Sequence, residues 1–322
     1  MKDSMMNRNS AFKPLRFSMV ASAAALTTVS ATVFALALCA SAAHAQSSTS
    51  STNKAEPTRI VAVGGVVTEI LYALGKDNLI AAVDTTSLFP PQALKDKPNI
   101  GYVRALSAEG VLSTMPSLII AIEGAGPPDA IKLLTEAGVR VARVPDEASE
   151  GGVIAKIEAV SALVSAGNAA PELMQKVKVG FAQLAADRAK VAKPRRILFV
   201  LALQNGRPMV GGRNSAADAI IRLAGGINAG TEVDGYKPMT DEAVIAAAPD
   251  VILMMSRGTN PAHSADVFAL PAFSVTPAAA AKSLVMMDGL YLLGFGPRTP
   301  GAAHDLMASV YPELGLRPVA KQ

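Results

Sequence analysis

Short apolar runs alternate with amphipathic segments along the chain from residue 59 onward. The apolar runs typical of buried strands lie at 60–63, 79–83, 118–122 and 139–144. Segments with helical spacing of apolar residues lie at 66–74, 107–114, 128–137 and 152–164. Because strands that alternate with helices form βαβ units, this pattern predicts an α/β fold with a largely parallel sheet.

The longest helical period lies at 171–191, where Val177 and Phe181 fall on one face and Pro194 ends the run. Beyond it the alternation of strands and helices resumes. Strands are predicted at 197–203, 251–255 and 284–287, helices at 214–223, 241–248 and 300–310, and a tight turn at 205–206. The domains predicted from this pattern are an N-terminal lobe at 58–168, a linking helix at 169–193 and a C-terminal lobe at 194–322.

Both halves contain a matching unit in which a glutamate precedes a proline by seven residues. The first unit runs from Glu109 to Pro116 and the second from Glu242 to Pro249, and an apolar run follows each proline. A short helix, a proline and a buried strand in this order are common in α/β proteins, but their recurrence at one spacing favours an internal repeat. The repeat predicts two similar lobes.

The first 45 residues have the pattern of an export signal. A basic segment precedes an apolar run at 19–40, and a small-x-small sequence ends at Ala45. The apolar run approaches the length of a membrane anchor, but its Ser, Thr and Ala content favours cleavage. Lipoprotein processing at Cys39 is disfavoured because a bulky leucine precedes it. We therefore expect a signal peptide at 1–45, a disordered leader at 46–57 and a periplasmic location.

Composition removes several classes of function. The chain carries a formal charge of +4, most of it before residue 46, so its basic character gives no argument for nucleic acid. Cys39 is the single cysteine, which excludes disulfides and thiolate metal sites from the exported chain. Only His263 and His304 follow residue 45, too few for a His-rich metal site. Gly64 and Gly65 lack a phosphate-loop spacing and favour a structural turn, and nucleophile and zinc motifs are absent, which disfavours an enzyme.

The most informative stretch is 100–110, which reads Ile-Gly-Tyr-Val-Arg-Ala-Leu-Ser-Ala-Glu-Gly. Together with the strings at 235–238, 287–289 and 293–299, it resembles the haem-binding members of the helical-backbone class of binding proteins that serve ABC importers. That class also includes binders of vitamin B12 and ferric siderophores. The resemblance covers nearly the whole chain after the signal peptide.

The resemblance implies both a fold and a function. The fold is that of a class III periplasmic binding protein, with two similar α/β lobes whose central, mainly parallel sheets are joined by one long backbone helix. The implied function is the transport of haem for iron acquisition by a monomer that catalyses no reaction. A corrinoid or ferric-siderophore ligand is the alternative within the class, and an extracytoplasmic hydrolase is the alternative outside it.

Tyr102 is the axial iron ligand that the resemblance implies, because the tyrosine of the first string has this role in the haem branch. A phenolate is a hard anionic ligand suited to ferric haem, but free tyrosine has a pKa of about 10, so the metal and a cation must favour ionisation. Arg104 faces the same side if this segment is extended, where it could stabilise the phenolate or pair with a propionate. On the residues alone, a tyrosine packed in a loop beside a surface arginine is the alternative.

The second lobe is expected to cover the haem and contact its propionates. Arg257 follows the strand predicted at 251–255, at the end where ligands gather in α/β sheets, and the resemblance places an arginine near this position in the cleft. Tyr236 is expected near the same mouth. No histidine occurs where some haem binders supply a second axial ligand, which favours five-coordinate ferric haem. Met254 and Met255 favour strand core over iron ligation.

Glu109 and Glu242 match by position the docking glutamates of the vitamin B12 relative, each of which meets arginines of the permease. One acid at the start of a short helix on each lobe suits the two-fold surface of an importer permease dimer. Helix capping alone would also place acids there. An outer-membrane haem receptor upstream is a further partner consistent with this interpretation.

Overall fold

Residues 57–204, 207–256 and 264–319 of the 322-residue chain are described by a computed structural model. The predicted signal peptide, the leader up to residue 56, the turn at 205–206, Arg257 and His263 lie outside these ranges. Within the described ranges, no helix is both long enough and apolar enough to span a bilayer.

The first lobe is built on a four-stranded sheet in which all strands are parallel. Its elements are β1 (Ile60–Val63), α1 (Gly65–Ala73), β2 (Ile80–Val83), α2 (Gln92–Asp96), α3 (Ala108–Leu112), β3 (Leu118–Ile122), α4 (Pro128–Glu136), β4 (Arg140–Val144) and α5 (Glu150–Leu163). The strand order is β2-β1-β3-β4. The central strands β1 and β3 are buried along their whole length, because a parallel sheet is covered on both faces and its strands are apolar on both sides.

One long helix, α6 (Ala169–Arg188), connects the two lobes and lies within the predicted linking segment. Its residues Val177, Phe181 and Leu184 are buried, as the helical period predicts. The helix ends three residues before the predicted end at 191, because the backbone N–H of Val191 bonds to the carbonyl of Arg188 in a tighter turn.

The second lobe is built on a mixed sheet in the order β10-β9-β5-β6-β8. Its elements are β5 (Arg196–Gln204), β6 (Arg207–Gly211), α7 (Ala216–Leu223), β7 (Ile227–Asn228), β8 (Tyr236–Pro238), α8 (Asp241–Ala247), β9 (Val251–Ser256), α9 (Ser264–Phe268), α10 (Pro271–Ser274), α11 (Pro277–Ala280), β10 (Leu284–Asp288), α12 (Gly289–Leu293) and α13 (Thr299–Val310). Strands β5, β9 and β10 are parallel, whereas β6 is antiparallel to both β5 and β8. β7 also pairs in parallel with β5. The predicted, mainly parallel arrangement therefore holds for β5, β7, β9 and β10, and β6 pairs antiparallel across the turn predicted at 205–206.

The matching units at Glu109 and Glu242 are equivalent in three dimensions. Helices α3 and α8 each begin after a hydroxyl residue whose side chain accepts a hydrogen bond from the third helical N–H. Each unit then passes through a left-handed residue, Met115 at φ 51° and Ala248 at φ 43°, directly before its proline. Strands β3 and β9 follow, and each pairs in parallel with the first strand of its lobe. The two lobes are therefore related by an internal repeat, and the predicted fold class is confirmed.

The two lobes share one apolar core. A single buried cluster includes Ile119 of the first sheet, Phe199 and Leu253 of the second sheet, and Leu306 of α13. A smaller cluster, which includes Val200 and Ile252, covers the other face of the second sheet. The connection between the lobes is therefore packed apolar structure in addition to the helix α6.

Candidate functional site

A cleft with an empty volume of about 590 Å³ lies at the carboxyl ends of the first sheet. The first lobe lines it with Thr86, Tyr102, Arg104, Glu123 and Asp146, and the second lobe contributes Leu290 and Leu293. This position is the one at which open α/β sheets bind ligands.

The base of the cleft is shaped by the buried carboxylate of Asp84. Its two oxygens accept hydrogen bonds from the backbone N–H of Gly64 at 2.8 Å, the backbone N–H of Thr86 at 2.9 Å and the Thr86 hydroxyl at 2.6 Å. Gly64 has a φ of 109°, and a Cβ on Gly65 would lie 2.1 Å from the carbonyl oxygen of Thr86. The two glycines therefore form a structural turn, as predicted.

Tyr102 lies on a loop whose backbone is anchored on both sides. Before it, the N–H of Ile100 bonds to the carbonyl of Val83 and the carbonyl of Gly101 accepts from Thr85. After it, the carbonyl of Val103 accepts a hydrogen bond from Gly126, and Gly126 in turn accepts one from Leu106. The side chain of Tyr102 is 50% exposed and faces the cleft. The loop thus holds an accessible phenol in a fixed position.

Tyr102 and Arg104 lie in a turn, not in the extended segment on which their predicted alignment depended. The N–H of Ala105 bonds to the carbonyl of Tyr102 at 2.8 Å, which closes a four-residue turn. Both residues nevertheless line the cleft. Among the described residues, Arg104 has no carboxylate within ion-pair distance. The geometry places a tyrosine and an uncompensated cation together, while their contact with a ligand stays a prediction.

Tyr236 lies in the edge strand β8, where its ring packs edge-on against Phe199 with the centroids 6.3 Å apart. Burial raises the pKa of its hydroxyl, and hydrogen bonds to the Ala217 backbone and the Ser215 side chain oppose the increase. The positive charge of Arg104 also lowers this pKa, so Tyr236 of the second lobe is within electrostatic reach of the first-lobe arginine. Tyr236 is not one of the residues lining the cleft, and its predicted role stays a prediction, as does that of Arg257.

The second-lobe segment 289–299 forms one side of the cleft, which we call the floor. An ion pair and a hydrogen bond connect it to the first lobe. The guanidinium of Arg298 bonds to the carboxylate of Glu69 at 2.8 Å, and the backbone N–H of Arg298 bonds to the same carboxylate at 3.2 Å. The guanidinium also stacks 3.5 Å from the centroid of the Phe89 ring. Leu290 packs directly against the backbone of Gly65. Neither Glu69 nor Arg298 was identified from the sequence as part of the site.

Lys156 makes a second connection between the first lobe and the floor, and it was also not identified from the sequence. It lies on the buried face of α5 with an exposure of 0%. Its ammonium is 2.7 Å from the Asp146 carboxylate and 3.2 Å from the carbonyl oxygen of Phe295. The signal that could have identified it is a lysine spaced three and four residues from Val153 and Val160, on the apolar side of a helix.

Glu109 and Glu242 lie outside the cleft, at equivalent exposed positions in the first turns of α3 and α8. The pKa of Glu242 is lowered by a hydrogen bond to its own backbone N–H, by the Thr240 hydroxyl and by the charge of Arg207. Both side chains are therefore available to a partner. Met254 and Met255 pack against the two apolar clusters, as predicted for strand core.

Two α/β lobes with a cleft at their sheet ends define a two-lobe ligand-binding protein. The sequence profile described as periplasmic binding protein matches residues 60–290, and the chain belongs to that family. The solved structure of the periplasmic haem-binding protein BhuT in complex with two haems is 40% identical, with a TM-score of 0.75 over 80% of this chain and 98% of that chain.

Two curated sequences extend the comparison. An ABC transporter substrate-binding lipoprotein of Bacillus subtilis, YvrC, is 26% identical over 265 residues, which is 81% of this chain and 82% of the relative. A vitamin B12-binding protein of Vibrio cholerae is 28% identical over 212 residues, which is 64% of this chain and 73% of the relative. The relatives are thus substrate-binding proteins of transport systems, and their ligands include both haem and vitamin B12.

Proposed function

We propose that this protein binds ferric haem in the periplasm through Tyr102 and delivers it to an ABC importer. The observation that carries the proposal is the pairing of an accessible phenol on an anchored loop with the uncompensated cation Arg104 in one cleft. Its similarity at 40% identity to a haem-binding protein supports haem over other ligands of the family.

The chemistry of the cleft suits this ligand. Tyr102 would supply an anionic oxygen to the ferric ion, and Arg104 would stabilise that anion or pair with a propionate. Leu290 and Leu293 offer apolar contact for the porphyrin plane. In the proposal, haem is five-coordinate, and Tyr236 and Arg257 contact it from the second lobe.

Delivery would use the acids outside the cleft. We propose that Glu109 and Glu242, one on each lobe, pair with basic residues of the permease dimer. Rim charges of this kind set encounter and orientation more than affinity. An outer-membrane haem receptor would supply haem upstream, and no catalytic step is assigned to the protein.

A corrinoid is the second candidate, because a vitamin B12-binding protein is 28% identical over 64% of the chain. Spectral titration separates the two ligands. Purified protein from residue 46 onward would be titrated with haemin and, in parallel, with cyanocobalamin and a ferric siderophore. We expect a saturable Soret shift and a tyrosinate charge-transfer band with haemin alone. Binding of cyanocobalamin or the siderophore without a haemin-dependent spectrum would contradict the proposal.

A further inference from the structure

Lys156 is a fully buried lysine. Its ammonium does not line the binding cleft but contacts a side chain that does. Lys156 projects from the apolar face of α5, between the buried residues Val153 and Val160. Burial of a charge is costly unless the charge is paired and hydrogen-bonded. Here the ammonium meets the Asp146 carboxylate at 2.7 Å and donates to the Phe295 carbonyl at 3.2 Å.

Asp146 connects this buried charge to the cleft. It follows β4, lines the cleft and is 48% exposed. The cleft-facing carboxylate is thus neutralised from behind by an ammonium that no ligand can touch. Because Phe295 belongs to the floor segment, the same ammonium also fixes Asp146 relative to the floor.

The charge of the cleft depends on this pair. The charged side chains among the described lining residues are Arg104, Glu123 and Asp146, one cation and two anions. Glu123 follows β3 and makes no ion pair with another described residue. Without Lys156 the described lining would carry a net negative charge, and with it the two signs balance.

On the basis of the proposed function, we infer that Lys156 is a specificity-determining residue that allows the cleft to accept a tetrapyrrole bearing free carboxylates. It acts through Asp146 and does not touch the ligand. Without that ammonium, the negative charge on Asp146 would repel propionates in the cleft. A tetrapyrrole with esterified carboxylates has no such dependence.

The test compares ferric protoporphyrin IX with its dimethyl ester in one water–dimethyl sulfoxide mixture, by Soret titration. Lys156→Met removes the charge and retains most of the volume. We expect it to weaken binding of the free acid by about tenfold and to leave binding of the ester within about twofold. Lys132→Met is the matched control, because Lys132 is an exposed lysine paired with Glu136 away from the cleft.

Asp146→Asn supplies the second arm and does not depend on the stability of the first variant. We expect Asp146→Asn to bind the free acid at least as tightly as the unchanged protein, and the double variant Lys156→Met/Asp146→Asn to recover what Lys156→Met loses. The double variant leaves no buried charge without a partner, whereas Asp146→Asn leaves the buried Lys156 ammonium with the Phe295 carbonyl alone. The double variant should therefore fold even if one of the single variants does not.

The outcomes separate this inference from the proposed function. Equal weakening of both porphyrins in Lys156→Met, or loss of free-acid binding in both Asp146→Asn and the double variant, would show a structural role or a direct ligand contact and would overturn the inference alone. Absence of haemin binding by the unchanged protein would overturn the proposed function and this inference with it.

Discussion

Tyr102 combines an exposed side chain with a main chain that is hydrogen-bonded on both sides. Its phenol contributes little to the apolar core, because the buried residues of this loop are the neighbouring Ile100 and Val103. The loop geometry is therefore set by its backbone and by these neighbours. Changes to the side chain at 102 should affect ligand binding without affecting the fold.

Tyr102→Phe tests the proposed iron ligand directly. We expect loss of the charge-transfer band and a loss of haemin affinity of about 100-fold or more, because the metal bond is removed. The free energy of unfolding should change by less than about 0.5 kcal/mol, as for an exposed substitution. Tyr72→Phe is the control, since Tyr72 lies near the end of α1 and is not one of the residues lining the cleft. An unchanged spectrum in Tyr102→Phe would refute the assignment.

Arg104→Ala should have a smaller effect than Tyr102→Phe. The substitution removes a supporting charge but leaves the metal bond, so we expect a loss of about tenfold in haemin affinity with the charge-transfer band retained. Arg104→Lys should recover part of the lost affinity, because lysine restores the positive charge but lacks the planar guanidinium that can donate two parallel hydrogen bonds. A spectral titration of the three proteins checks this, and full affinity in Arg104→Ala would contradict it.

Helices α3 and α8 show how the repeat places equal chemistry on both lobes. Each has a hydroxyl N-cap, a glutamate at the second helical position, a left-handed residue and a proline before a buried strand. The acid is held at the helix N-terminus in both cases, where the backbone favours negative charge. The equivalence supports a shared role on the two lobes more strongly than either glutamate alone would.

Charge reversal at both helices tests the docking proposal. Glu109→Lys and Glu242→Lys should each reduce haem uptake by a reconstituted importer, and the double variant should reduce it further, while haemin affinity stays unchanged. Glu136→Lys, on the exposed side of α4, is the matched control. Association of the unchanged protein should weaken as salt rises. Normal uptake by the double variant would show that these two glutamates have no docking role and only stabilise the helix N-termini.

Much of the element structure could be predicted from apolar periodicity, for a physical reason. The strands β1 and β3 are buried on both faces, and such strands produce continuous apolar runs. The edge strand β8 is exposed at all three positions and contains Pro238, so no hydrophobic pattern marks it. Helices such as α10 and α11 have four residues each and are too short to show a helical period.

The site was predictable only in part. Tyr102 and Arg104 could be identified because they belong to a distinctive local string. Glu69 and Lys156 were missed as site residues because Arg298 and Phe295, which they contact, lie 229 and 139 residues away in the sequence. Contacts of this kind arise when the chain folds, and no local pattern indicates them.

At the scale of the whole molecule, the two lobes are joined by a common core and by buried charged contacts. The core cluster spans both sheets, and the pairs of Glu69 with Arg298 and of Lys156 with Phe295 cross from the first lobe to the floor segment. Large relative motion would have to break all of these together. We therefore expect the two lobes to unfold in one cooperative transition.

Arg298→Met tests the fastening of the floor. It would leave Glu69, which is 5% exposed, as an uncompensated buried carboxylate. We expect a loss of about 3 kcal/mol in the free energy of unfolding, measured by urea denaturation. The double variant Glu69→Gln/Arg298→Met should recover most of it, because no charge is then stranded. Equal stability of Arg298→Met and the unchanged protein would show that the ion pair makes no net contribution to the free energy of unfolding.

The contacts that hold the floor to the first lobe have a consequence for the proposed delivery to an importer. A carrier that hardly changes shape on loading presents the same two acidic helices whether its cleft is full or empty. An importer that recognised only those helices would receive unloaded carriers as readily as loaded ones. Empty protein would then act as a competitive inhibitor of uptake, and the flux of cargo would depend on the ratio of loaded to empty carrier and not on the loaded concentration alone.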